Sequence, residues 1–241
     1  LFEEPENLLK QEVREPSLYN AIISAIASGA SKLSEISTKV GENSSTCTAY
    51  LKNLISLGLI CRETPYGEKN SKKTIYTVED NMFRFWYRFI PDNASLIVRG
   101  ASDLAYQRIR PQLSDYMGKI FEDICTQYLW QLLLNGKSPV FFKELGRWWG
   151  TDPATHAQTE IDIMGEQDKN TALFCECKWT NDLVDFGVLE LLVHRSQLFH
   201  YNSTHLFLFS KNGFTSGCTE MAEKLGNVTL VSYSDIYGSC Q

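Results

Sequence analysis

The sequence predicts a two-part α/β chain: a small module of three helices and a hairpin, then a mixed-sheet α/β domain with helices on its faces. Before Gly58, apolar residues recur at helical spacing in three segments that each stop near a glycine. Two short β-branched runs follow, separated by a Pro/Gly/Asn/Ser loop. From Leu113 a long helical stripe leads into strand patterns that alternate with helical ones.

In the first part, apolar residues at 18, 22, 23 and 26 mark a helix that ends at Gly29. A second helix spans about Lys32 to Val40 and ends at Gly41. A third, capped by Ser44 or Ser45, runs through TCTAYLKNLISL to Gly58. LICRET and KTIYTV then read as strands around the loop PYGEKNSKK. Helix, helix, helix, strand, basic loop, strand is the order of a winged helix. In that arrangement Lys52 on the third helix and Lys69, Lys72 and Lys73 on the wing are candidate contacts to DNA phosphates, with Thr46, Thr48 and Asn53 as base-edge readers. The winged helix is assigned to residues 1–80. DNMFRFWYRFIPDN, Asp80 to Asn93, is read as a core or interface segment closed by a Pro-Asp-Asn turn, within a junction over residues 81–112.

The second part, residues 113–241, opens with a helix from Leu113 to Leu134 whose apolar positions 117, 120, 121, 124, 125, 128, 129, 132 and 133 form one stripe. PVFFKELGRWW, TEIDIMGE and TALFCECK read as strands. A helix from about Val184 to His200, the strand HLFLFS, and a final helix and strand near MAEKL and VTLVSY complete it.

With 241 residues, 43% of them hydrophobic, the chain can fill one large core or two smaller ones, which excludes disorder. The net charge of −6 excludes a chain-wide polyanion surface, so any nucleic-acid contact has to be local. No apolar run reaches the roughly 20 residues of a membrane helix, so no membrane partner is expected. Seven cysteines without a CxxC pair indicate neither a disulfide framework nor a zinc site and point to the cytoplasm. A chain that opens at Leu1 rather than Met reads as the downstream part of a longer protein.

The charges inside the apolar strands are the strongest functional signal. Alternation by two places Glu160, Asp162 and Met164 on one face of the first strand, and Ala172, Phe174, Glu176 and Lys178 on one face of the second. Buried without partners, such charges would cost several kcal/mol (about that order), so they need one another, solvent or a metal ion. Hard oxygen donors from Asp162 and Glu176, with the Cys177 carbonyl, suit Mg²⁺ or Mn²⁺. Lys178 would orient a nucleophile or neutralise a phosphate, and Glu122 on the long helix and Glu160 are auxiliary candidates. His156, His194, His200 and His205 show no ligand pairing and read as packed or surface residues.

The helix with Glu122, the EID strand, the ECK strand and the following helix resemble the PD-(D/E)XK nuclease superfamily, whose restriction-endonuclease-like core has this element order and an acidic-x-lysine motif. Gln197 and Tyr201, in QLFHY, are similar to the QxxxY signature of its RecB-like members. Taken with the winged helix, DNMFRFWYRF, GKIFEDI and RWWG, the chain resembles the C-terminal region of archaeal and bacterial AAA-type (DEXX-box) ATPases, in which a nuclease-like domain follows the ATPase. The resemblance implies a metal-dependent DNA nuclease with an N-terminal ATPase domain as partner. The other reading is an inactive module that binds DNA or a protein and regulates the ATPase. No GxxxxGK[ST] phosphate loop occurs, so no ATP site is expected in this chain.

Overall fold

The structure is a computed structural model that describes Pro5, Leu9, residues 16–68 and residues 72–238. It divides into two compact units, one ending at Thr64 and resuming over Glu68–Pro111, the other comprising Pro65–Gly67 and the chain from Gln112.

In the first unit α1 (Pro16–Ala27), α2 (Leu33–Val40) and α3 (Ser44–Ser56) precede the antiparallel pair β1 (Ile60–Glu63) and β2 (Ile75–Val78). This is the winged-helix order expected from the sequence. The α3 cap falls one residue earlier than expected: Asn43 Oδ1 accepts from Thr46 N at 2.9 Å, which leaves Ser44 and Ser45 inside the first turn. Gly41, at φ 79°, supplies the left-handed residue that closes α2.

The aromatic segment forms α4 (Asn81–Val98), followed by α5 (Ser102–Ile109). The turn expected at Pro91 is absent, and the helix continues through the proline. Phe83, Trp86 and Tyr87 join Ile22, Ile23, Ile36, Leu51 and Leu54 in the core of this unit, so burial of the aromatic face outweighs the hydrogen bond that proline removes.

In the second unit α6 (Leu113–Leu134) packs on a five-stranded sheet of β3 (Gly146–Thr151), β4 (Gln158–Glu166), β5 (Thr171–Lys178), β6 (Ser203–Ser210) and β7 (Val228–Ser232), adjacent in that order. The β3–β4 and β4–β5 pairs are antiparallel, the β5–β6 and β6–β7 pairs parallel. Parallel neighbours need crossovers, and α7 (Phe186–Ser196) and α8 (Ser216–Leu225) provide them; α9 (Tyr233–Gly238) follows β7.

Each face of the sheet buries its own core. On one side Phe121, Cys125 and Leu129 of α6 meet Ile163, Leu173, Cys175, Phe207 and Phe209. On the other, Leu189 and Leu192 of α7 and Cys218 of α8 meet Ile161, Met164, Phe174, Leu206 and Leu208. The strand expected from Pro139 begins only at Gly146. The preceding residues lie against the backbone of Gly165 instead: a Cβ there would stand 2.7 Å from Leu145 Cδ2 and 3.1 Å from Glu144 O.

Candidate active site

β4 does not keep strict alternation. Gly146 pairs with Met164 but Trp148 pairs with Ile161, so three steps on β4 oppose two on β3. Ile161 and Met164 therefore share the α7 face, while Ile163 packs towards α6. The expected common face for Glu160, Asp162 and Met164 is corrected by this bulge, because the extra residue reverses the phase between Ile161 and Met164.

The β4–β5 ladder ends at Ile163 and Cys175. Past that pair, Asp162 Oδ2 accepts the Cys177 N–H at 2.8 Å, which brings the acid beside the strand that carries Glu176 and Lys178. Glu176 is 3% exposed. Its Oε1 accepts from Lys178 Nζ at 2.6 Å, and its Oε2 from Arg195 Nη1 of α7 at 2.7 Å. On the α6 side, Lys119 Nζ pairs with Glu122 Oε2 at 3.0 Å, and Arg147 pairs with Glu160.

The electrostatics follow from this crowding. Burial, then the charges of Glu176 and Glu122, push the Asp162 carboxyl up to about 7, against the pull of the Cys177 N–H and Lys178. Burial also raises Glu122, offset in part by Lys119 and Arg147. For Lys178, burial acts downward, but the charge and hydrogen bond of Glu176 together with Asp162 hold the ammonium above its ordinary range. The Cys177 thiol is driven well up by burial beside Cys125, so only its carbonyl remains available as a donor.

Asp162, Glu176, Lys178, Glu122 and Glu160 thus belong to one charged neighbourhood, while Gln197 and Tyr201 do not. Tyr201 OH donates to Glu166 Oε2 at 2.7 Å, four residues beyond Asp162, roughly 13 Å along the strand. Gln197 and Tyr201 line a cavity of about 530 Å³ with Asn202, Thr204 and Asn227. Thr204 stands opposite Ala172, towards the other end of β5 from Glu176.

In the first unit Lys52 and Lys72 are exposed, and Lys73 Nζ pairs with Glu68 at 3.0 Å; Lys69 lies outside the described residues. Asn53, read as a base contact, donates instead to Tyr19 OH at 2.7 Å within the module.

Several participants went unrecognised in the sequence. Arg195 follows Leu192 by three, which puts a cation on the buried stripe of α7, and such a position calls for a buried acid. Lys119 stands three residues before Glu122, the spacing of a helical ion pair. His194 Nε2 meets the buried Asp152 Oδ2 at 2.8 Å, a contact across 42 residues that no local pattern announces.

Asp162 and Glu176 are hard oxygen donors, and Asp162 Oδ1 accepts no hydrogen bond among the described residues. Asp162 stands beside the acids Glu176 and Glu122, so its donor chemistry fits a divalent cation. Both Glu176 oxygens are occupied, so this carboxylate fits a cation only when one of its present partners gives way. Among the described residues, no group of three or more His, Cys, Asp or Glu side chains is set to hold a metal ion. None of the described helices is long and apolar enough to cross a membrane.

Fold and site together define a winged-helix-ordered module and a mixed-sheet α/β unit that carries a cluster of opposite charges where the β4–β5 ladder ends. Residues 86–190 match the model of the family DUF234, described as archaeal and bacterial proteins of unknown function. That span holds Glu122, Asp162, Glu176 and Lys178 and stops short of Arg195. An uncharacterized protein, MJECL04 of Methanocaldococcus jannaschii, is 38% identical over 190 residues, which cover 78% of this chain and 41% of the relative. The chain therefore spans less than half the length of that relative. Among solved structures, protein VC1899 from Vibrio cholerae aligns over 98% of this chain and 51% of its own, at 14% identity and a TM-score of 0.39.

Proposed function

We propose that the second unit is a divalent-metal-dependent phosphodiesterase of the PD-(D/E)XK nuclease type that acts on DNA, that the first unit contacts the DNA backbone, and that both serve a larger AAA-type ATPase. The observation that carries this reading is the convergence of Asp162, Glu176 and Lys178 where the β4–β5 ladder ends. Lys178, held at Glu176 Oε1, is placed to neutralise a non-bridging phosphate oxygen or to orient the attacking water. Asp162, held through Oδ2 by the Cys177 N–H, keeps Oδ1 for the cation. Mg²⁺ or Mn²⁺ on Asp162, Glu176 and the Cys177 carbonyl would supply a lowered water pKa and neutralise charge on the phosphoryl group.

A second reading, an inactive nuclease-fold module that binds DNA or a protein and regulates the ATPase, draws on one observation. Glu176 already has a cation on each oxygen.

The two are separated by incubating the chain with linear, nicked and single-stranded DNA in Mg²⁺ or Mn²⁺, beside Asp162→Asn and Lys178→Ala. Cleavage by the parent that both variants lose supports hydrolysis. Metal-independent binding without cleavage favours the regulatory module, and neither binding nor cleavage removes DNA as the substrate.

A further inference from the structure

Glu176 carries more positive charge than it needs. Its two oxygens hold separate cations, Lys178 at 2.6 Å and Arg195 at 2.7 Å, while the neighbouring Asp162 is met by a backbone N–H rather than by a cation. Lys178 comes from the same strand as Glu176, whereas Arg195 reaches in from α7 and is 14% exposed at its side chain. The guanidinium is incompletely held: Nη1 bonds Glu176, but Nε is buried with no hydrogen-bond partner among the described residues. A buried donor left unpaired is costly, so this is a poor final resting place for an arginine that serves structure alone.

The helix does not depend on this bond for its position. One residue earlier, His194 fixes the same turn of α7 to Asp152, itself held by the Ala154 N–H at 2.7 Å. Leu189 and Leu192 anchor the apolar side. Arg195 can therefore leave Glu176 by side-chain rotation while α7 stays in place.

We propose that Arg195 is a resident counter-cation of Glu176, a latch that holds the carboxylate in the metal-free chain and must release it before a divalent ion is bound. The inference rests on the metal-dependent reading above and adds an antagonist to it. A dication on Glu176 would face both a guanidinium and an ammonium at hydrogen-bonding range of the same carboxylate, and like charges at that distance repel strongly away from bulk water. Once released, the guanidinium offers its freed donors to a phosphate oxygen, the planar recognition for which arginine is suited. Cation loading and phosphate binding then favour each other, because both draw Arg195 off Glu176.

The test is a titration of the full chain with Mn²⁺ in the absence of DNA, followed by calorimetry and by the electron paramagnetic resonance of free Mn²⁺. Arg195→Gln should bind Mn²⁺ tighter than the parent by about tenfold or more, and Arg195→Lys, which keeps the charge, should stay within about threefold. If Arg195→Gln loses the parent's circular-dichroism spectrum, Arg195→Met, which retains the aliphatic packing, takes its place. Equal or weaker binding by the neutral variants overturns the latch and leaves the metal-dependent reading standing, since Arg195 would then only position Glu176. No Mn²⁺ uptake by either parent or variants overturns both.

Discussion

Asp162 and Cys177 are joined side chain to backbone at 2.8 Å, just past the point where β4 and β5 stop pairing strand to strand. The carboxylate takes over an N–H that the ladder no longer serves, and in doing so comes to rest among like charges. Asn at this position keeps an oxygen for Cys177 and removes the charge. In the folded chain the carboxyl holds its proton up to about pH 7, whereas unfolded it loses it near 3.8. The parent therefore loses stability from this group as pH rises from about 4 to 7, and Asp162→Asn does not. Unfolding free energies of the two proteins from urea titrations at pH 4.5 and 8 should diverge with pH in favour of the variant, by on the order of a few kcal/mol at most. Parallel profiles would refute the crowding of Asp162.

Asp152 behaves in the opposite sense. The hydrogen bond from His194, and then those from the Ala154 and Thr155 N–H groups, hold its carboxyl down at about 2, below the ordinary 3.8. Its contribution is fully present above 3.8 and disappears as pH falls through about 2. Asp152→Ala should thus be less stable than the parent at pH 6, and the difference should shrink towards pH 2 in denaturant titrations. A gap that persists undiminished in acid would assign the loss to packing.

Two glycines separate close approach from mere tolerance. Gly165→Ala forces a methyl against Leu145 and Glu144 O, and should lower stability by about 1–3 kcal/mol. Gly118, inside α6, meets nothing within 4 Å, and Gly118→Ala should stabilise by up to about 1 kcal/mol. Thermal unfolding of both variants checks the pair, and a neutral Gly165→Ala would contradict the tight crossing before β3.

The proposed DNA contact can be tested at the wing lysines. Replacing Lys72 and Lys73 with alanine should weaken binding similarly for unrelated duplexes and reduce the slope of log affinity against log salt by about 0.9 per lost phosphate contact. Fluorescence anisotropy across a salt series measures it. An unchanged slope would move the contact away from the wing.

Most of the element order could be read directly, because periodicity and glycine stops are local properties. The α6 stripe and the β5 run TALFCECK needed nothing beyond their own residues. The course of α4 through Pro91 was hidden, since it depends on what Phe83, Trp86 and Tyr87 bury against rather than on propensity. Within the site, Asp162, Glu176 and Lys178 were legible as misfit charges in apolar strands. Arg195 was not, because its meaning comes from an acid 19 residues away on another element. Gln197 and Tyr201 matched a short spacing, but Tyr201 serves Glu166 instead.

The bulge in β4 has a hereditary consequence. Ile161 and Met164 are three residues apart yet point into the same core, so the strand carries a phase change between its packing half and its charged half. Losing a single codon between them would leave Ile161 and Met164 on their shared face but only one residue in between, which cannot serve both as the acid of the charged cluster and as the Ile163 side chain of the α6 core. The same loss in the turn after Glu166 would leave both phases intact. This short stretch should therefore tolerate exchanges of side chain far more readily than any change in length.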